Sequence, residues 1–110
     1  MDKLNHYRQI IQKFLCDYSR RRSNDHIDSQ TIFDETRDHY QVVNVGWDSD
    51  QRVYGCVIHL DIKNNKIWLQ YNGTEIDIAQ KLVDLGVPKN DIVLGFQAPY
   101  RRQYTDYAIS

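Results

Sequence analysis

The residues best suited to chemistry lie in one short stretch, in which His59, Asp61 and Lys63 alternate with apolar residues. Because successive side chains of a β-strand point to opposite faces, these three residues share one face. A histidine and a carboxylate on one face could hold a metal ion, with Gln70 as the expected cross-strand neighbour of His59. His59 and Asp61 are only two ligands, and a bound metal ion needs at least a third. We therefore predict a polar sheet face here, with no metal and no cofactor.

A second hypothesis uses the pattern Asp61-Ile62-Lys63 together with Asp48 or Asp50 on the neighbouring hairpin. In one class of nucleases, two carboxylates hold Mg²⁺ and a lysine steadies the attacking water. The pattern Asp-x-Lys is too short to be specific, and the sequence has no phosphate-binding loop, dinucleotide fingerprint, Cys-x-x-Cys, His-Glu-x-x-His or nucleophile elbow. We predict no catalytic residues and keep a metal-dependent DNA-processing enzyme as the alternative.

These residues belong to a predicted hairpin over Arg52–Asn72, whose two strands meet at a tight Asn64-Asn65 turn. Asn tolerates the positive φ that such a turn requires. The alternation predicts that Ile62 faces Ile67, Leu60 faces Leu69 and Ile58 faces Tyr71, with Cys56 on the same buried side. The opposite side is polar apart from Trp68, and we expect it to meet water, a partner or a ligand.

Two further strands precede the hairpin, over residues 30–36 and 39–48, and in the second the apolar alternation falls on Val43, Val45 and Trp47. A four-residue loop over 49–52 would pair Val45 with Cys56 and Val43 with Ile58. The result is a four-stranded antiparallel meander with one covered face. Residues 91–96 are either a fifth strand or one helical turn, because periodicity does not distinguish them.

Two amphipathic helices can cover that face. The first runs from Asp2, which can cap its first turn, to about Ser19, with an apolar stripe at intervals of three and four residues. The second starts at Thr74, where Thr74 and Asp77 resemble a capping box. A chain of 110 residues forms one domain, over 1–110, of the α+β class.

The C-terminal segment alternates tyrosine with arginine, a composition that is favoured in recognition surfaces, although it could also form an edge strand. Together with the polar face of the hairpin it makes one candidate interaction surface. That surface consists of His59, Asp61, Trp68, Gln70, Tyr100, Arg101, Arg102, Tyr104 and Tyr107.

Composition sets the remaining expectations. A net charge of −1 gives no basic field to favour nucleic acid. Cys16 and Cys56 fall on predicted core positions, so we expect reduced, buried thiols, and a cytoplasmic protein without a membrane segment. An open-edged sheet rich in tyrosine is compatible with a homodimer.

Three stretches resemble a known family: HYQVVNVGWD (39–48), RVYGCVIHLDIKNNKIWLQYNGTE (52–75) and LVDLGVPKNDIVLGFQAPYRRQYTDYAIS (82–110). They are similar to the XisI-like family, the fdxN element excision controlling factors of cyanobacteria. The resemblance implies an accessory protein in programmed DNA excision that acts beside a site-specific recombinase and a nuclease-like companion, XisH. It implies no catalytic residues. We therefore expect a non-enzymatic interaction module, with direct DNA binding as part of the alternative.

Overall fold

The computed structural model describes residues 2–110 and is an α+β fold, as predicted. Its elements are α1 (Lys3–Arg22), β1 (Ile27–Asp34), β2 (His39–Asp48), β3 (Gln51–Lys63), β4 (Lys66–Asn72), α2 (Ile78–Asp84), a 3₁₀ turn (Lys89–Asp91), β5 (Ile92–Leu94) and α3 (Pro99–Arg102). The sheet order is β1-β2-β3-β4-β5. The four-stranded antiparallel meander is confirmed. Residues 92–94 form a fifth strand, but it runs parallel to β4 because α2 carries the chain back across the sheet.

The central hairpin follows the predicted register near its turn. Asn64 and Asn65 have φ values of 53° and 64°, Ile62 lies opposite Ile67, and Leu60 lies opposite Leu69. The predicted pair Ile58–Tyr71 is wrong, because the register shifts after Leu60 and Ile58 faces Asn72. The shift leaves Gln70 as an extra residue, a β-bulge that sequence alternation does not reveal.

The register between β2 and β3 also differs from the prediction. Asp48 pairs with Gln51, so the turn contains two residues, and Val43 and Val45 pair with Cys56 and Tyr54 rather than with Ile58 and Cys56. A second bulge, at Val57, then brings Ile58 opposite Val42. The core side of β2 therefore carries Tyr40 and Val42, whereas Val43, Val45 and Trp47 lie on the other face.

β1 begins earlier than predicted and ends before Thr36, because its ladder with β2 extends from Ile27 opposite Gly46 to Asp34 opposite His39. Its inward side chain Phe33 packs against the core beside Tyr40. The strand thus completes the covered face on the side of α1.

Both helices cover the same sheet face, as predicted. The core includes Tyr7, Ile11 and Leu15 of α1, Ile78, Ala79 and Leu82 of α2, and Ile58, Leu60, Ile67 and Leu69 of the hairpin. Asp2 caps α1 through the backbone amide of Leu4 (3.0 Å), and the helix continues beyond Ser19 to Arg22, because no helix breaker precedes Ser23.

The predicted start of α2 at Thr74 is wrong. Asp77 is the N-cap and accepts a hydrogen bond from the amide of Gln80 (3.1 Å), so the helix begins at Ile78. Thr74 instead closes the preceding turn, in which its hydroxyl donates to Asn72 Oδ1 and accepts from the amide of Ile76. Thr74 and Asp77 can each cap a helix. Because the Thr74 hydroxyl is already bonded to Asn72 in the turn, Asp77 is the residue that caps α2.

The cysteines are both free, but their predicted burial is wrong: Cys16 is half-buried and Cys56 is exposed. The Val57 bulge explains Cys56, because it sends residues 56 and 58 to opposite faces of the sheet. Within residues 2–110, no helix is long and apolar enough to cross a membrane.

Asp38 joins α1 to the β1–β2 turn. Its carboxylate accepts two hydrogen bonds from the Arg8 guanidinium (2.8 and 3.0 Å) and one from the Tyr40 hydroxyl (2.9 Å). The bonds from Arg8 hold the pKa of Asp38 below its usual range, although partial burial opposes them. We expect Asp38→Asn, which tolerates the φ of 61° at this position, to lower the free energy of unfolding at pH 7 by about 1–2 kcal/mol.

The pH dependence of this variant follows from the sign of the pKa shift. A carboxyl with a lowered folded pKa stabilises the fold fully above its unfolded pKa, about 3.9, and loses that contribution as pH falls through the folded pKa. Urea unfolding of wild type and Asp38→Asn across this range should show a difference that is full at pH 7 and shrinks in acid. A difference that grows in acid would contradict the assignment.

Candidate functional site

The sheet face opposite α1 and α2, called the outer face below, carries the groups that the core does not use. Three regions follow one another across it. A patch of exposed apolar residues lies on β1–β3, a cluster of His39, His59 and Asp61 lies on β2 and β3, and Trp68 on β4 lies under the C-terminal segment. The predicted polar face of the hairpin is therefore one part of a larger and more varied surface.

In the His–Asp cluster, two imidazoles converge on one carboxylate oxygen. Asp61 Oδ1 lies 2.8 Å from His39 Nδ1 and 2.8 Å from His59 Nε2. Burial raises the pKa of Asp61, but the hydrogen bonds from His39 and His59 outweigh it, and the pKa lies below its usual range. Because an ionised carboxylate only accepts hydrogen bonds, the nitrogen that faces it in each imidazole carries the proton.

Strand pairing explains how the cluster forms. His39 is the direct cross-strand partner of Asp61, and His59 precedes Asp61 by two residues on the same face. The predicted site therefore has a third member, His39, which sequence reasoning missed. The predicted four-residue loop shifted the register of β2 against β3, and the pairing of His39 with Asp61 follows only from the two-residue turn and the Val57 bulge.

Two glutamines hold this cluster in place. The side chain of Gln70, at the β4 bulge, donates to Asp61 Oδ2 (3.1 Å). Its predicted position opposite His59 is wrong, because the register shift places Tyr71 there. The amide nitrogen of Gln41 lies 3.3 Å from His59 Nδ1. Both ends of the His59–Asp61 contact are thus fixed by neighbouring side chains.

Trp68 is not available as a contact residue, although it belongs to the predicted surface. It is only 7% exposed. Lys63 Nζ lies 4.6 Å and the Arg102 guanidinium 5.1 Å from the centroid of its ring, and its Nε1 donates to the Lys63 carbonyl (3.1 Å). The indole therefore attaches the C-terminal segment to the sheet.

The C-terminal segment divides into anchors and exposed residues. Arg102 donates to the carbonyls of Leu94, Gly95 and Gln97, and Tyr107 packs against the core, so both are structural. Of the predicted surface residues in this segment, Tyr100, Arg101 and Tyr104 are exposed. The segment is not an extended edge strand: it forms the short α3 and a single bridge between Ala108 and Val93.

A group of apolar residues on the outer face was not predicted. It consists of the exposed Ile32, Trp47, Tyr54 and Cys56 and the half-buried Val45, called the outer-face patch below. Tyr54 is 72% exposed and Trp47 is 52% exposed. Val45 pairs with Tyr54, and the Arg52 guanidinium lies 5.3 Å from the Trp47 ring centroid. Arg52 and Tyr54 lie on one face of β3, and the charge of Arg52 indicates that this face points outward. The patch was not predicted because the apolar alternation of Val43, Val45 and Trp47 in β2 favours a core face on that side of the sheet.

With this geometry established, comparison with known proteins identifies the family. A family model described as XisI protein matches residues 1–109. The chain belongs to the XisI family. No curated protein matches the chain.

Two solved structures of XisI proteins share this fold. One is a XisI-like protein from Anabaena variabilis, with 48% sequence identity and a TM-score of 0.91 over 99% of this chain and 100% of the other. The second is the fdxN element excision controlling factor XisI from Anabaena variabilis, with 37% identity and a TM-score of 0.85 over 99% of this chain and 100% of the other. The resemblance read from the sequence is thereby confirmed.

The XisI fold does not assemble the nuclease arrangement considered above. Asp48 lies opposite Gln51 at one end of the β2–β3 hairpin, and Asp61 lies near the other end. At about 3.3 Å per residue, the two carboxylates are roughly 30 Å apart, too far to share a metal ion. Lys63, moreover, covers the Trp68 ring.

Proposed function

We propose that this chain is a non-enzymatic controlling factor for the excision of a DNA element, and that it acts by binding a XisH-like companion protein. The observation that carries the proposal is the family match over residues 1–109, together with a structural relative described as an excision controlling factor. A controlling factor without a catalytic site must act through contacts. A site-specific recombinase is a second partner of the same complex.

The outer face is the docking surface in this proposal. Trp and Tyr side chains supply much of the energy of protein interfaces because they bury a large area and lose little conformational freedom. Trp47 and Tyr54 are exposed beside apolar neighbours, and charged and polar groups such as Arg52 and the His–Asp cluster surround them. An apolar centre with a polar rim is the usual anatomy of an interface. The exposed tyrosines Tyr100 and Tyr104 extend the surface.

The test is co-purification of this chain with the XisH-like protein, followed by titration of the complex. We expect the double variant Trp47→Ala, Tyr54→Ala to weaken binding by about 30-fold or more, because an interface hot spot contributes at least about 2 kcal/mol. Thermal unfolding of the free variant should match wild type, since exposed side chains contribute little to stability.

The matched control is Leu85→Ala, which removes an exposed apolar side chain on the helical side of the molecule. It borders a groove of about 490 Å³ between α1 and α2. If Leu85→Ala weakens the complex and the double variant does not, the companion docks in that groove and the assignment of the outer face is wrong. If no complex forms, the proposed partner is wrong. A homodimer that light scattering detects, and that the double variant abolishes, would then assign the outer face to self-association. DNA cleavage by the isolated chain with Mg²⁺ would contradict a non-enzymatic role.

A further inference from the structure

We propose that His39, His59 and Asp61 form a binding site for a divalent transition-metal ion such as Zn²⁺. The three donor atoms lie within 4.8 Å of one another, and no other group of three or more His, Cys, Asp or Glu side chains in residues 2–110 is placed to hold an ion. The ion sits on the outer face, between β2 and β3. This inference is independent of the proposed partner.

An ion fits between the three donor atoms after rotation of the side chains, because the two imidazole nitrogens already lie within 4.8 Å of each other. In tetrahedral coordination, bonds of about 2.0–2.1 Å place neighbouring ligand atoms about 3.3 Å apart. The two nitrogen-to-oxygen distances are now 2.8 Å, so each must widen by about half an ångström. The side chain of His39 is 55% exposed and can supply this movement.

The donor set selects the kind of metal. Two imidazoles and one carboxylate suit Zn²⁺, Co²⁺, Ni²⁺ and Fe²⁺, whereas Mg²⁺ and Ca²⁺ prefer oxygen ligands alone. Three protein ligands leave further coordination positions, and the exposure of His39 opens them to solvent water.

Two glutamines form hydrogen bonds to the proposed ligands, as the imidazoles and carboxylates of metal sites usually require. Gln70 holds Asp61 Oδ2, which leaves Oδ1 for the metal. The side-chain amide of Gln41 lies within hydrogen-bond distance of His59 Nδ1. When Nε2 binds an ion, the ring proton moves to Nδ1, and the Gln41 amide turns so that its oxygen accepts that proton. Strand pairing fixes the Cα positions of all three ligands, so little conformational freedom is lost on binding.

A hydrogen-bonded network without a metal is the competing explanation, since Asp61 already accepts from both imidazoles. The two explanations differ at Gln41. In the metal-free network Gln41 must donate to His59 Nδ1, whereas with a bound ion it must accept. Gln41→Glu offers only an acceptor and therefore separates them, because a glutamate supports the metal site and weakens the metal-free contact.

The experiment uses the full chain without a histidine tag, stripped with EDTA and titrated with Co²⁺ while visible absorption is recorded. We expect one equivalent of Co²⁺ to bind and an equivalent of Zn²⁺ to displace it. Gln41→Leu should weaken binding about 10–100-fold, as outer-shell changes do, and Gln41→Glu should retain wild-type affinity. His39→Gln and His59→Gln should each weaken binding more than Gln41→Leu does.

The control is the double variant His6→Gln, His26→Gln, which removes the two histidines outside the cluster and should leave cobalt affinity unchanged. Circular dichroism and melting in EDTA show that each variant is folded, and the exposure of His39 makes His39→Gln the safest of the ligand variants. The proposal is overturned if wild type binds neither Co²⁺ nor Zn²⁺ saturably at millimolar metal, or if His39→Gln binds Co²⁺ like wild type.

Discussion

Gly46→Ala is expected to destabilise the fold by about 3 kcal/mol or more, which is a large part of the total stability of a domain of this size. A Cβ atom at residue 46 would lie 2.1 Å from the His26 carbonyl oxygen and 2.9 Å from Ile27 Cα. Both atoms belong to the backbone that leads into β1, and the amide of Trp47 is hydrogen-bonded to the same carbonyl (3.1 Å). The chain therefore cannot move aside without breaking the β1–β2 ladder.

The measurement is urea or thermal unfolding, with an expected fall in melting temperature of roughly 10–20 °C. Gly55→Ala is the matched control, because it changes the same residue type in the adjacent strand, where a Cβ atom would meet nothing within 4 Å. That variant should be neutral or more stable by up to about 1 kcal/mol, since glycine weakens a strand. Equal effects of the two substitutions would show that the approach of β1 to residue 46 is not rigid.

The contrast between these glycines shows which parts of the fold the sequence specifies locally. The Asn64-Asn65 turn, the hairpin pairs next to it and the two covering helices follow from turn chemistry and hydrophobic period, and they were predicted. The close approach at Gly46 depends on how β1 enters the sheet, which no local pattern encodes. The parallel β5 likewise depends on how α2 packs on the sheet.

The two bulges explain most of the errors in the candidate site. Each adds one residue to a strand and so exchanges the two faces beyond it. At Val57 the exchange sends Ile58 inward and leaves Cys56 and Tyr54 outward, which is why the outer-face patch was missed. At Gln70 it ends the predicted pairing of Ile58 with Tyr71. These bulges leave little signal in the sequence, because the extra residues, Val57 and Gln70, are of types that are also found in regular strands.

The His–Asp cluster was half predicted for the same reason. His59, Asp61 and Gln70 lie within or beside a single strand pair, so alternation placed them together. His39 comes from β2, and its position depends on a turn and a bulge in combination. Contacts within one hairpin near its turn are therefore predictable here, whereas contacts that cross a register shift are not.

Trp68 and Trp47 lie on the same face of the sheet but have opposite roles. Trp68 is buried, with Lys63 and Arg102 over its ring, and Arg102 also donates to three carbonyls, at the last residue of β5 and just after it. The indole thus supports the whole C-terminal segment. Trp47 is half-exposed, and the Arg52 guanidinium lies over its ring. Composition alone treats these two residues alike, and burial separates them.

We expect Trp68→Ala to lower the free energy of unfolding by about 3–5 kcal/mol, the usual loss for a buried tryptophan, and to release the segment that Arg102 anchors. Limited proteolysis should then cut within residues 97–105, before the domain itself unfolds. Trp47→Ala is the matched substitution, and it should leave stability within about 0.5 kcal/mol of wild type while it weakens companion binding. If Trp68→Ala leaves both the melting temperature and the proteolysis pattern unchanged, the tryptophan is not the anchor. If Trp47→Ala is the destabilising change, the assignment of the two faces is wrong.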